Sequence, residues 1–341
     1  MIQRRRVLNV KVVVSQRGQV SLLDQPIPEL KPGHVLVRTR YSTVSPGTEL
    51  TSIRLMRETP FPIGYSASGI AVELGEGVSH IAPHQSVACY GGPFVRHAEF
   101  ILVPKHLVVP VPPSIDMAEA STVGLGVIAM HALRLSALQF GETAVIVGLG
   151  MVGQLMARIA AAAGIQVIAV DLLPSRRSVL QSTPYVTVCA DTEEVHAVVA
   201  ACTLGLGADA VFHCIGGQQK ELLDLSFSWI RDRGKLVIVG DLQTDINRGA
   251  MFRKEVQLMV SRAGGPGRYD TSYETEGVDY PVGYVRWTEG RNMYAYLRML
   301  EQGQVRLNEG LVEQFPLDQA DTIYERYQKE TGGLIGAILR Y

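Results

Sequence analysis

The chain has 341 residues with 32 Lys plus Arg against 33 Asp plus Glu, a formal net charge of -1. That balance offers neither a polycationic surface for nucleic acid nor an acidic tail, so bulk electrostatics name no partner. With 47% apolar and 19% charged residues it is not a disordered chain, and its length suggests about two domains of roughly 150 residues.

Met1-Ile2-Gln3-Arg4-Arg5-Arg6 resembles the basic end of a signal peptide, but Lys11 interrupts the apolar stretch and no small-residue cleavage site follows. The start therefore reads as a first strand. From Val7 to about Pro113, short β-branched runs (Val10 to Val14, Val35 to Thr39, Gly69 to Leu74, Phe100 to Val103) alternate with Pro and Gly, the pattern of a small barrel or sandwich. Ser114 to Leu138 reads as helical, with Asp116 and Glu119 near its start.

After Gly141 the rhythm changes. Ala144 to Val147 is an apolar strand, Met151 to Ala163 an Ala-rich helix and Val167 to Val170 another strand, followed by Ala210 to Cys214, Leu236 to Val239 and Val256 to Val260. Uninterrupted apolar strands between helices predict a parallel sheet covered on both faces. Gly264 to Arg291 has too little periodicity for regular structure and reads as a functional loop. A helix (Asn292 to Gln302), a strand (Leu311 to Phe315), a helix (Asp318 to Lys329) and a last strand (Ile335 to Leu339) complete the series.

Cys89, Cys189, Cys202 and Cys214 form no C-x-x-C pair, which argues against a disulfide framework and a zinc-finger site and for a reducing cytosol. The most apolar region, Met151 to Val170, carries Gln154, Arg158 and Gln166, so no transmembrane helix is expected. A soluble, cytoplasmic protein without nucleic-acid or membrane partners follows.

Gly148-Leu149-Gly150-Met151-Val152-Gly153 follows an apolar strand and opens a helix. Gly148 is suited to the tight turn, Gly150 to close approach of a pyrophosphate, and Gly153 to helix-strand packing, with the helix N-terminus facing the diphosphate. Asp171, 18 residues after Gly153, ends the next strand, where a carboxylate accepts both ribose hydroxyls and repels a 2'-phosphate. NAD(H) is therefore expected over NADP(H). Arg176 and Arg177, just beyond, could hold a phosphate or form a solvated helix start.

The whole chain resembles the medium-chain dehydrogenase/reductase superfamily. The marks are Pro32-Gly33-His34-Val35-Leu36-Val37-Arg38, Ser45-Pro46-Gly47-Thr48-Glu49, Gly64-Tyr65-Ser66, Gly75-Glu76-Gly77-Val78, the cofactor loop and Gly332-Gly333-Leu334-Ile335-Gly336. The resemblance implies an α/β chain: a GroES-like β-barrel catalytic domain (1–125 and 290–341) around a Rossmann doubly wound parallel sheet (126–289). It also implies that Met151, Val152, Cys214, Gly216, Gly240 and Arg262 join the cofactor site, and a homodimer or homotetramer.

Zinc-dependent members hold the catalytic metal through a Cys in C-G-T-D, a His in G-H-E and a third ligand before the cofactor domain. The corresponding positions here are Pro46 or Ser45, Tyr65 with Ser66, and about Leu125, none of them a good zinc ligand. The four-cysteine structural lobe is missing between Cys89 and His97. Neither zinc is expected. The Ser-Pro-Gly-Thr-Glu and Gly-Tyr-Ser segments, with Gly265 to Asp270 and Asp279 to Glu289, are most similar to the dehydrogenase half of two-domain oxidoreductases of sugar and polysaccharide biosynthesis. Bacteriochlorophyllide dehydrogenases share the zinc-free S-x-G-T-E pattern.

Without a metal, hydride transfer to a carbonyl needs a proton donor or fixed hydrogen-bond donors. Tyr65 stands in place of the metal-binding His. Thr48 could relay a proton, Glu49 could act there or tie the loop, and Asp241 should emerge at the carboxyl edge of the sheet. His97, His131 and His213 read first as core residues. In the loop, Tyr284, Arg286 and Trp287 suit a polyhydroxylated ring or an anionic metabolite; a lid and a subunit contact are both open. The expected activity is alcohol/ketone interconversion on a sugar-like or cyclitol-like metabolite. An enoyl or quinone reductase and a nucleotide-binding regulator are the alternatives.

Overall fold

The computed structural model describes residues 9–307, 310–329 and 333–341. The first-strand expectation for Met1 to Arg6, and Gly332 of the C-terminal motif, lie outside them. The chain divides into two compact units, one of Met1–Gly124, Pro266–Glu301 and Glu313–Tyr341, the other of Leu125–Gly265 and Gln302–Val312.

In the second unit, six strands form one parallel sheet. In spatial order they are Val186–Cys189, Gln166–Val170, Thr143–Val147, Ala208–His213, Ile230–Ile238 and Gln257–Val260. Counted along the chain this is 3-2-1-4-5-6, the Rossmann order, with its reversal between the first and fourth strands. Val147 lies opposite both Val170 and His213, so three strands end level and release their loops at one edge. All five residues of Thr143–Val147 are buried, as a strand covered on both faces requires.

The first unit is antiparallel and turns on His34–Val44, which pairs with Ser66–Leu74, Phe100–Pro104 and the C-terminal strand Gly336–Arg340. Ala337 sits opposite Val44 and Arg340 opposite Tyr41, so the chain end closes a sheet begun some 300 residues earlier. Asn9–Gln16 pairs with Gln19–Pro26 and Phe61–Pro62 in a second, three-stranded sheet. The architecture is GroES-like plus Rossmann.

Three features depart from the sequence reading. The expected helix over 114–138 is two, Met117–Ala120 and Val123–Ser136. Asp116 caps the first through Ala118 and Glu119 N–H, and the hydroxyls of Ser121 and Thr122 then bond back to the carbonyls of Ala118 and Glu119 at the break. Ser-Pro-Gly-Thr-Glu opens a helix, Pro46–Arg54, with Pro at its first turn. Third, residues 266–289, expected in the cofactor domain, belong to the barrel unit. Arg268 explains why: its guanidinium donates to the Gly92 carbonyl and to Glu274, while His106 Nδ1 meets the Tyr273 carbonyl at 2.9 Å. The segment also contains one helical turn, Thr271–Glu274.

Candidate active site

The Gly-rich turn is built as its three glycines require. Gly148 has φ +93°, and a Cβ there would lie 2.4 Å from Ile215 Cγ2. Gly150 is the N-cap of helix Met151–Ala162, and a Cβ on it would meet nothing within 4 Å, leaving the backbone open to a ligand. A Cβ on Gly153 would stand 1.9 Å from the Gly148 carbonyl, so only glycine lets helix and strand approach this closely. Met151 is buried beneath the turn and Val152 half-buried.

Asp171 is 8% exposed and holds this turn in place. Its Oδ2 accepts the Leu149 N–H at 2.7 Å and faces Arg176 at 3.3 Å; its Oδ1 accepts the Leu173 N–H at 2.9 Å. Oδ1 keeps a further acceptor position, so the residue suits a ribose hydroxyl of a dinucleotide. Arg177 donates to the carbonyls of Asp171 and Leu172, so one face of its guanidinium is committed to the backbone.

Cys214 N–H bonds to Val147 O at 2.8 Å, and Gly216 and Gly240 pack within Cβ-clash distance of Asp241 O and Ile215 O, fixing the second loop at the same sheet edge. Asp241 is exposed in this unit, and its carbonyl accepts the Gly217 N–H. Arg262 is exposed just past the last strand. His213 is fully buried, bonded through Nε2 to Ser226 at 2.9 Å, and its pKa is pushed down to about 4 by burial. It is therefore a neutral core residue at physiological pH. His131 packs beside Gly265, and burial lowers its pKa too.

The barrel unit holds a second constellation. Tyr65 Oη donates to Ser45 Oγ at 2.6 Å, and Thr48 also hydrogen-bonds its hydroxyl. Burial pushes the tyrosine pKa above its usual value, and the nearby Glu49 carboxylate adds to the rise. The hydroxyl keeps its proton at neutral pH. Glu49, 2% exposed, accepts from Ser45 N–H (2.8 Å) and Tyr324 Oη (2.5 Å) and meets His97 Nε2 at 3.1 Å. His97 Nδ1 continues to Ser42 Oγ at 2.7 Å, and Ser42 to Tyr341 Oη at 2.8 Å. Glu49 thus touches the backbone under Ser45, and the imidazole of His97 orients it.

Residues that the sequence reading did not place with Tyr65 border this cluster. Tyr90 meets Tyr65 edge-to-face at 5.9 Å between centroids, and Gly91 N–H bonds to Tyr65 O. Arg268, fixed on Gly92, stacks 4.0 Å over the Tyr269 ring, which is 57% exposed on a residue at φ +64°. Tyr269 lies in the Gly265 to Asp270 segment that the sequence already marks, but its left-handed backbone is visible only in the structure. Tyr284 is 91% exposed, and Arg286 with Trp287 lines a groove that shares no residue with the Tyr65 cluster.

The positions of the family's zinc ligands carry hydroxyls and hydrocarbon. Ser66 Oγ donates to Ser121 O and accepts from Gly124 N–H, Ser45 Oγ holds Tyr65, and Leu125 is buried and apolar. Among the described residues no group of three His, Cys, Asp or Glu is placed to hold a metal ion. None of their helices is long and apolar enough to cross a membrane.

A Rossmann-ordered sheet with a glycine turn of dinucleotide-binding form, joined in one chain to a GroES-like barrel, is the architecture of the medium-chain dehydrogenases/reductases that this chain resembles. Residues 151–275 match the family model for zinc-binding dehydrogenases. The chain is 24% identical over 306 residues to the "Probable D-xylulose reductase A" of Emericella nidulans, across 76% of this chain and 84% of that protein. It is also 24% identical over 271 residues to the (R,R)-butanediol dehydrogenase of Neisseria gonorrhoeae, across 65% and 75%. In fold it resembles galactitol-1-phosphate dehydrogenase from Escherichia coli, with a TM-score of 0.79, 19% identity and coverage of 97% of this chain and 100% of that one.

Proposed function

We propose that this protein is a zinc-independent, NAD(H)-dependent oxidoreductase that interconverts a secondary alcohol and a ketone on a sugar-like or cyclitol-like metabolite. The observation that carries the proposal is the hydrogen-bonded Tyr65–Ser45–Thr48 cluster, in which Ser45 and Tyr65 stand at two of the positions where zinc-dependent members of the resembled family carry thiolate and imidazole. Neutral hydroxyls engaged with one another and with the backbone are a poor donor set for zinc. The match to zinc-binding dehydrogenases spans 151–275 and so leaves positions 45–66 untouched.

A nicotinamide dinucleotide held at the glycine turn and Asp171 would supply or accept the hydride. Reduction would leave negative charge on the former carbonyl oxygen, and Tyr65 would neutralise it: its O–H turns from Ser45 Oγ to the substrate oxygen, the tyrosine O–H breaks as the substrate O–H forms, and the Ser45 hydroxyl turns from acceptor to donor to stabilise the tyrosinate beside Thr48. Glu49 positions rather than reacts, because its carboxylate is spent on Ser45, His97 and Tyr324. Asp171, buried and aimed at the glycine turn, supports NAD(H). Relatives named for xylulose and butanediol support a hydroxylated substrate.

The test is Tyr65→Phe, assayed by NADH oxidation with a panel of ketoses, cyclitol ketones and enones. Turnover should fall by about 10²- to 10⁴-fold with the NADH Kd unchanged. Activity surviving within a fewfold refutes the role. Turnover of enones alone would point to a C=C reductase, and NADH binding without turnover to a regulator.

A further inference from the structure

Arg286 and Trp287 line a cavity of about 530 Å³ within the barrel unit. One wall is the apolar run Val111-Pro112-Pro113; the other comes from the helix Glu289–Glu301 through Tyr294 and Leu297, with Arg298 on the same helix. The guanidinium of Arg286 lies 3.9 Å over the Trp287 ring. No carboxylate pairs with Arg286 or Arg298 among the described residues, whereas Arg291, deeper in, is satisfied by Asp279 and the carbonyls of Tyr280 and Val285. Glu301 is the one acidic residue of the lining, and Ser114 faces it at 3.5 Å.

We propose that this cavity is a binding site, separate from the Tyr65 cluster, for an organic anion with a flat apolar body: the body lies between Pro112 and Trp287, and its carboxylate is taken by Arg286 and Arg298. Three observations carry the assignment. The volume falls in the roughly 300–1,000 Å³ range of small-molecule sites, and the lining joins an apolar wall to a set of polar and charged side chains, so it can take a body and a head group of different chemistry. Two arginines without an acidic partner present planar donor forks that match a carboxylate. A second copy of the chain is a poor occupant, because a two-fold contact would bring this cationic rim against itself.

The probe is 2-naphthoate, with 2-naphthylmethanol as its uncharged counterpart, titrated calorimetrically into the full-length protein. The anion should bind saturably at one site and at least about tenfold more tightly than the alcohol, the worth of one charge-assisted hydrogen bond. In Arg286→Gln/Arg298→Gln the preference should vanish while the alcohol binds as before, and Trp287→Leu should weaken both ligands. Arg286 and Arg298 are exposed and Trp287 is half-buried, so unchanged thermal unfolding serves as the folding check. Equal affinity for anion and alcohol overturns the proposal. So does undiminished naphthoate binding in the double variant, which would place the anion elsewhere, or a concentration-dependent dimer that the double variant abolishes.

Discussion

Glu289 offers a measurement that isolates one buried carboxyl. Its side chain is fully buried at the start of the helix Glu289–Glu301, and no donor among the described residues reaches either oxygen. Burial pushes its pKa up to about 8 from an ordinary 4.5; the Arg268 guanidinium opposes this, and the Glu274 carboxyl adds to it. The two carboxyls can hydrogen-bond only by sharing a proton, so Glu289 is the protonated partner at neutral pH, while Glu274 stays paired with Arg268. Between pH 4.5 and 8 the folded chain holds a proton that the unfolded chain has released. Stability from this group is therefore complete below pH 4.5 and is lost as pH rises to about 8. A rise of 8 minus 4.5 corresponds to about 5 kcal/mol as an upper bound, reduced by whatever relaxation admits water. Glu289→Gln removes the titration and gives Glu274 an N–H donor. Urea unfolding of both proteins from pH 5 to 9, in a Trp229→Phe background so that Trp287 reports on the barrel unit, should show the variant gaining a few kcal/mol relative to the parent as pH rises. A pH-independent difference, or a variant less stable at pH 8, refutes the shared proton.

Asp171→Asn keeps an acceptor for the Leu149 N–H but removes the charge, so discrimination against NADPH should fall by about tenfold or more in kcat/KM; a parent enzyme that already prefers NADPH defeats the reading. His97→Phe leaves Glu49 and Ser42 without their buried partner and should cost about 3 kcal/mol in urea unfolding, far more than the removal of an exposed ion pair. A loss below about 1 kcal/mol would mean that the network contributes little to holding Ser45.

What the sequence made legible was written locally. The strand before Gly148, the three glycines and Asp171 lie within 28 residues, and each answers to a steric or electrostatic demand of its own, so motif and period locate the strand, turn and helix of the candidate site without knowledge of the fold. The hydroxyl set was legible only against the family's ligand pattern, since Ser45, Thr48 and Tyr65 are unremarkable taken singly. Residues 266–289 were assigned to the wrong unit for a physical reason: their attachment is Arg268 reaching Gly92, 176 residues away, and no periodicity encodes a contact of that range.

The same distinction bears on the proposed role of Tyr65. An ion organises its ligands by its own charge, whereas hydroxyls need external order. Here that order comes from distant parts of the chain: Tyr324 reaches Glu49 across 275 residues and Tyr341 reaches Ser42 across 299. The C-terminal strand that closes the sheet brings Tyr341 to this network, so truncating the chain end should loosen the support behind Tyr65 as well as the barrel. A fully satisfied buried network is rigid because each lost contact leaves a desolvated group unpaired. The chain thus holds a neutral tyrosine in a fixed position by the cost of breaking its surroundings, which is the preorganisation that the proposed proton donor requires.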